Sequence, residues 1–267
     1  MAGERAAPRP IWLSACRLGV VTATLFVVAS AGQPAAARPK APAPPARLGE
    51  EASLRLARAL RASGDPAAAL PIYRNLAKGL PADAPLTIEL GDALLDARLI
   101  DDAMGIYAAA PGSARAQLGL ARAQLTLGQT AKALPYADRA AELAPTDAAA
   151  LTLRGVVLDR LGRHAEAQAS YRAVLAAAPQ SVAARTNLAL SLALTGQYPD
   201  ALEILEPIAR SANATPRDRQ NLAFVYGLKG DAAAARALGE VDLDAKAAAD
   251  NAEFLALAHD RMGAASP

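Results

Sequence analysis

The sequence of 267 residues has little of what catalysis and cross-linking require. It contains one cysteine, Cys16, and two histidines, His164 and His259, which lie 95 residues apart. Neither histidine has neighbours at metal-ligand spacing. We therefore expect no catalytic residue, no metal site and no cofactor. His164 follows a turn glycine and His259 falls on a terminal helix, so both are expected to be solvated.

The chain also lacks a large excess of charge of either sign. The chain has 28 basic and 26 acidic residues, and aromatic residues make up only 4% of it. Residues 1–31 hold three arginines and one glutamate, so the remainder has 25 basic and 25 acidic residues. A neutral chain lacks the basic surface of a nucleic-acid-binding protein. We expect protein partners and no nucleic acid.

The N-terminal residues have the order of a targeting segment. Arginines precede an apolar run from Leu18 to Gly32, and the small residues "ASA" stand at 29–31. The run is shorter than the roughly 20 apolar residues that span a bilayer. Residues 1–31 are therefore predicted to be a cleavable secretory signal peptide. The mature protein is expected in the periplasm, with association with the outer membrane as a further alternative.

Cys16 raises the alternative of a lipid anchor. It ends the motif "LSAC", but the apolar run follows the cysteine, whereas a lipoprotein needs that run in front. A lipid anchor at Cys16 is not expected, and membrane association should be indirect. A lipoprotein, an uncleaved inner-membrane anchor and cleavage at Ala35–Ala37 remain alternatives. Residues 32–48 form a Pro/Ala-rich linker, with five prolines between Gly32 and Arg47.

The rest of the chain repeats itself. Gly128, Gly162, Gly196 and Gly230 stand 34 residues apart, and an alanine follows each glycine five residues later. The register extends back to Gly64 and to a degenerate copy in which Arg98 replaces the glycine. Copies begin near residues 50, 84, 114, 148, 182 and 216, and Pro111-Gly112 shortens the second copy.

Each copy has the local chemistry of two helices joined by a turn. Apolar residues recur at helical spacing, as in "SLRLARALRASGD", and no β-strand alternation occurs. The turn glycine supplies a left-handed residue that ends the first helix. The predicted fold is all-α, a stack of antiparallel helix pairs over residues 49–240. Residues 241–267 are predicted to form a C-terminal capping helix, about Ala245–Met262, and a tail.

The Gly, Ala, Tyr and Pro register resembles the tetratricopeptide repeat. The resemblance implies a right-handed superhelical solenoid of about six repeats that acts as a non-catalytic scaffold for protein–protein interaction. It also places the second, fifth, ninth and twelfth residues of each copy in a concave peptide-binding groove. The predicted groove residues are Arg58, Arg61, Leu118, Arg122, Leu125, Val156, Leu190 and Phe224. An apolar middle with arginines toward the N-terminal half favours a peptide that is hydrophobic and partly acidic.

A second resemblance lies near the C-terminus. The stretch Arg219–Leu255, "RQNLAFVYGLKGDAAAARALGEVDLDAKAAADNAEFL", is similar to the end of the TadD component of the tight-adherence (Flp) pilus assembly system. That family implies a periplasmic scaffold that supports pilus assembly, with the secretin or other Tad subunits as partners. A general periplasmic peptide-binding or chaperone-like module, in polysaccharide export or envelope assembly, is the main alternative. A regulatory subunit of an enzyme complex is another.

Overall fold

The computed structural model describes residues 49–243, 247–251 and 253, and those residues form helices joined by short turns without a β-strand. Twelve helices have defined bounds. These are α1 Glu50–Ala62, α2 Pro66–Ala77, α3 Pro85–Asp96, α4 Ile100–Ala108, α5 Ala114–Thr126, α6 Thr130–Leu143, α7 Ala148–Arg160, α8 His164–Ala177, α9 Val182–Leu194, α10 Tyr198–Ala209, α11 Pro216–Lys229 and α12 Ala232–Gly239. Within these ranges no helix has the length and apolar character needed to cross a bilayer.

Side-chain caps set where many of the helices begin. The oxygens of Ser113, Asp147 and Ser181 accept hydrogen bonds from the backbone N–H three residues later. Thr215 and Asp218 form a reciprocal capping box at α11. These caps satisfy N–H groups that have no partner within the helix.

Left-handed residues end the first helix of each pair. Gly64, Gly128, Gly162, Gly196 and Gly230 have φ between 72° and 92°. In the degenerate copy Arg98 takes the same conformation, with φ 64°. The predicted turn is therefore kept there although the glycine is lost. As predicted, the second copy is short, because α4 ends at Ala108 just before Pro111-Gly112.

Each helix packs antiparallel on the next, which gives six helix pairs from α1–α2 to α11–α12. In addition, the odd-numbered helices α3, α5, α7, α9 and α11 contact one another in order, whereas the described even-numbered helices make no comparable contacts. The odd-numbered helices therefore lie closer together and line the inner side of the stack. We call the surface that they share with α1, which is joined to α3 by ion pairs of Arg58 and Arg61, the inner face. This confirms the predicted all-α solenoid.

The repeated small and aromatic residues build the core. Ala69, Ala103, Ala133, Ala167 and Ala201 are completely buried where the two helices of a pair meet. One turn later the buried residues are Tyr73, Tyr107, Ala137, Tyr171 and Leu205. Small residues allow close approach of the helix backbones, and the larger side chains fill the space between neighbouring pairs.

Several predictions concern residues that are not described. The leader 1–31 with Cys16, the linker 32–48, His259 and most of Ala245–Met262 lie outside the described residues. Within the predicted capping helix, residues 247–251 and 253 are helical. Ala248 is buried, and its Cβ lies close to Gly239 at the end of α12. This part of the tail therefore packs back on the last helix pair.

Candidate functional site

All eight predicted groove residues lie on odd-numbered helices. Arg58 and Arg61 are on α1, and Val156, Leu190 and Phe224 are on α7, α9 and α11; α5 carries the remaining three, Leu118, Arg122 and Leu125. Their environments differ between the two ends of the stack. Their role in binding stays a prediction.

In the N-terminal half, acidic side chains of α3 hold the arginines of α1. Arg58 donates two hydrogen bonds to Glu89, from Nε to Oε2 at 3.0 Å and from Nη2 to Oε1 at 2.7 Å. Arg61 donates from Nη2 to Asp96 Oδ2 at 2.7 Å. The hydrogen bond from Arg58 keeps the pKa of Glu89 below its ordinary value. Both guanidinium groups already have a carboxylate partner.

Asp92 connects the same helix to α5. This buried carboxylate accepts a hydrogen bond from the Tyr107 hydroxyl at 2.8 Å and one from Arg115 Nη2 at 2.8 Å. Arg122 Nη1 lies 3.7 Å from Asp92 Oδ1 and its Nη2 lies 3.9 Å from Asp96 Oδ1. Burial and the neighbouring Asp92 raise the pKa of Tyr107.

We call Glu89, Asp92 and Asp96 the α3 carboxylates. Glu89 and Asp96 were not predicted from the sequence as partners of Arg58 and Arg61. A signal was present, since Arg58–Glu89 and Arg61–Asp96 are 31 and 35 residues apart, close to one repeat. Residues about one repeat apart lie side by side on adjacent inner helices. The N-terminal half of the inner face is therefore charge-compensated.

From the end of α5 onward the inner face carries several partly exposed apolar side chains. Leu125 packs partly against a cluster that contains Ala121 and Val157. Leu190 and Phe224 pack partly against the largest core cluster, whereas Val156 is only 8% exposed and belongs to that core. The half-exposed side chains therefore leave apolar surface on this side, and Val156 contributes little.

A polar cluster links α7, α8 and α9. Asp159 accepts hydrogen bonds from the hydroxyls of Ser191 at 2.7 Å and Tyr171 at 2.9 Å. His164 Nδ1 lies 2.9 Å from the same carboxylate. The prediction that His164 is solvated was wrong: its side chain is half-buried, because Asp159 at the end of α7 faces the start of α8. The hydroxyl of Tyr171 has a raised pKa owing to burial and to Asp159.

Arg160, the last residue of α7, differs from the arginines of α1 and α5 described above. Its side chain is half-buried, and its Nε atom is buried without a hydrogen-bond acceptor. No carboxylate of the described residues forms an ion pair with it. Burial lowers the pKa of Arg160, and the neighbouring hydroxyl of Tyr171 opposes that shift. Sequence reasoning did not single out this residue.

The inner face presents engaged polar side chains and partly exposed apolar ones. Among the described residues, no group of three or more histidine, cysteine, aspartate or glutamate side chains is arranged to hold a metal ion. The carboxylates described above are engaged by arginines, hydroxyls or His164. What the inner face offers a partner is apolar surface and hydrogen-bonding groups, as in α-helical repeat proteins that bind other proteins.

The chain belongs to the tetratricopeptide repeat family. Two family models, both described as tetratricopeptide repeat, match the chain. One matches residues 106–148 and 152–214, and the other matches residues 60–112. Together these segments cover more than half of the chain. Proteins with this fold are typically non-catalytic scaffolds for protein–protein interaction. No curated protein matches the chain.

Solved structures share the fold. A tetratricopeptide repeat protein from Parabacteroides merdae ATCC 43184 is 21% identical, with a TM-score of 0.57 over 71% of this chain and 77% of that one. A thermophilic tetratricopeptide repeat protein of Thermus thermophilus, TTC0263, is 24% identical, with a TM-score of 0.57 over 66% and 98%. PilW, described as a widely conserved type IV pilus biogenesis factor, is 22% identical, with a TM-score of 0.61 over 72% and 91%.

Proposed function

We propose that this chain is a non-catalytic scaffold that binds a peptide segment of a partner protein along its inner face. One observation carries the proposal: half-exposed apolar side chains, among them Leu118, Leu125, Leu190 and Phe224, stand on the inner helices α5, α9 and α11. An extended or helical peptide with apolar side chains would cover them and remove apolar area from water.

Peptide selection followed by paired substitution tests this. Twelve-residue peptides are selected on the full chain from a displayed random library, and their affinity is measured by fluorescence anisotropy. We expect Leu118→Glu with Phe224→Glu to lower the affinity at least tenfold, because two charges would be desolvated in the interface. The circular dichroism spectrum should stay that of the unchanged chain.

The matched control is Leu80→Glu with Leu127→Glu. These leucines are 44% and 42% exposed and lie in loops at the ends of α2 and α5. The control should bind selected peptides like the unchanged chain. Equal affinity of both double variants would contradict binding at the inner face.

We further propose that the partner belongs to the Flp (Tad) pilus machinery, the secretin or another Tad subunit, and that the protein works in the periplasm. The support is the resemblance of Arg219–Leu255 to the end of TadD and the signal-like segment 1–31. Within the described part of the first stretch, Arg219 Nε and Nη2 donate hydrogen bonds to Asp242 at 2.7 and 2.6 Å. PilW, which has a similar fold and is described as a type IV pilus biogenesis factor, is consistent with this proposal.

A deletion strain decides between this proposal and its alternative. Loss of surface pili, restored by the unchanged gene and not by the Leu118→Glu, Phe224→Glu variant, would support pilus assembly. Normal pili with altered polysaccharide export or envelope integrity would support a general peptide-binding or chaperone-like module instead. The intact mass of the mature protein would report cleavage after residue 31 or acylation at Cys16.

A further inference from the structure

Arg160 is a half-buried guanidinium without a counter-charge. A buried cation is costly unless it is paired and hydrogen-bonded. The arginines Arg58, Arg61, Arg115 and Arg122 of the inner face all meet carboxylates. The helix dipole favours a cation in the last turn of α7, but that effect is modest and also available to an exposed side chain. Burial without a partner therefore needs another explanation.

The repeat register predicts which inner-helix residues flank Arg160, in addition to Tyr171 of α8, whose hydroxyl interacts with its charge. Its counterpart in the second helix pair is Asp96, the last residue of α3, which pairs with Arg61 of the preceding inner helix and Arg122 of the following one. The corresponding neighbours of Arg160 are Leu125, 35 residues earlier, and Leu190, at the position of Arg122 in the fifth copy. By this register, an arginine flanked by two leucines stands where the second helix pair has a carboxylate flanked by two arginines.

No nearby acidic group is free to pair with Arg160. Asp159 is adjacent in sequence, but its two oxygens already accept hydrogen bonds from Ser191 and Tyr171 and lie against His164. Since no carboxylate of the described residues pairs with the guanidinium, a carboxylate partner for it would come from outside them. The apolar flanks would strengthen its attraction, because they exclude water from the contact.

We propose that Arg160 binds the side-chain carboxylate of an aspartate or glutamate within the bound peptide, while apolar residues on both sides of it rest on Leu125 and Leu190. The inference rests on the proposed binding of a peptide at the inner face. A guanidinium matches a carboxylate with two parallel hydrogen bonds. The acid should be internal to the peptide, since three helix pairs precede α7–α8 and two follow it.

The test is a double substitution across the interface. Selected twelve-residue peptides are resynthesised with each acidic residue changed to its amide, and with the C-terminal carboxylate amidated. Against the unchanged chain, one internal Glu→Gln or Asp→Asn change should weaken binding by about tenfold to a hundredfold. With the Arg160→Met variant, the same peptide change should weaken binding less than about twofold. The Arg160→Lys variant should bind the acidic peptide with an affinity between those of the unchanged chain and Arg160→Met.

Stability provides a second readout. Because Arg160 has no partner in the unbound chain, Arg160→Met should unfold at the same urea concentration as the unchanged chain or a higher one. A lower midpoint would assign Arg160 a structural role and overturn the proposal. The matched control is Arg74→Met, an exposed arginine on the outer helix α2. It should change neither peptide affinity nor its dependence on the acidic residue.

The remaining outcomes are distinguishable. Some selected peptides could lack an acidic residue and still lose affinity for the Leu118→Glu, Phe224→Glu variant. That result would overturn this inference and leave the proposed function intact. This inference would also be overturned, with the proposed function intact, if the Glu→Gln change lowered peptide affinity equally for Arg160→Met and for the unchanged chain. An effect of C-terminal amidation alone, with no effect of any internal amide, would have the same meaning. Failure to select any peptide would count against both proposals.

Discussion

Tyr107 is held between two glycines, and adding one methyl group to either should destabilise the protein. A Cβ atom at Gly91 of α3 would lie 2.6 Å from Tyr107 Cε1, and one at Gly119 of α5 would lie 2.4 Å from its Cζ. The ring is completely buried and its hydroxyl donates to Asp92 at 2.8 Å. The ring cannot retreat without losing that hydrogen bond. We develop the prediction for Gly119→Ala.

The expected magnitude follows from opposing effects. Overpacking a core position costs about 1–3 kcal/mol, and losing the Tyr107–Asp92 hydrogen bond adds about 1 kcal/mol. Replacing glycine by alanine inside a helix returns about 1 kcal/mol through higher helix propensity. The sum is a net destabilisation of about 2 kcal/mol. Gly105→Ala is the matched control: nothing lies within 4 Å of its added Cβ on α4, so it should stabilise by up to about 1 kcal/mol.

Urea unfolding, followed by far-ultraviolet circular dichroism, measures both variants against the unchanged chain. Because repeat stacks need not unfold in one step, midpoints are compared only where the slopes agree. The reasoning also predicts that Gly119→Ala costs less in a Tyr107→Leu background, where a smaller side chain makes room for the methyl group. It would be refuted if Gly119→Ala were as stable as Gly105→Ala, or if its cost were the same with Leu at position 107.

Two further predictions concern the backbone and the charge network. Arg98→Gly should stabilise the chain by up to about 1 kcal/mol in urea unfolding, because φ is 64° there and a side chain disfavours that conformation. Glu89 has a pKa lowered by its hydrogen bond from Arg58, so its contribution is present above the unfolded-state value of about 4.3 and is lost as the pH falls through the folded-state pKa. The stability difference between the unchanged chain and Glu89→Gln should therefore shrink below about pH 4; a constant difference would contradict this.

The fold was predictable because its determinants recur at fixed positions. The turn residue, the buried alanine and the aromatic residue one turn later each have a local physical role, and the repeat displays that role several times. Even the degenerate copy follows the rule, since Arg98 takes the left-handed conformation that glycine takes elsewhere. Where one copy departs from the pattern, the other copies still predict the positions of its helices and turn.

The site was less predictable because its contacts join different copies. Whether Arg61 is free depends on Asp96 of the next inner helix, and whether Arg160 has a partner depends on what α5 and α9 present to it. The position of a residue within its copy predicts on which face of the helix it lies, but not which residue of another copy it contacts. His164 was misjudged for a related reason: a residue after a turn is usually solvated, but here Asp159 of the preceding helix lies opposite it.

The charge distribution also bears on how a peptide would be placed along the stack. An acidic side chain offered to the first three helix pairs would have to compete with the α3 carboxylates, which already hold their arginines at 2.7–2.8 Å. Such an exchange of one ion pair for another yields little net free energy. At Arg160 no carboxylate has to be displaced, so the whole interaction is available to the partner. The fourth helix pair would therefore fix the register of the peptide, while the apolar side chains of α5, α9 and α11 supply much of the buried area.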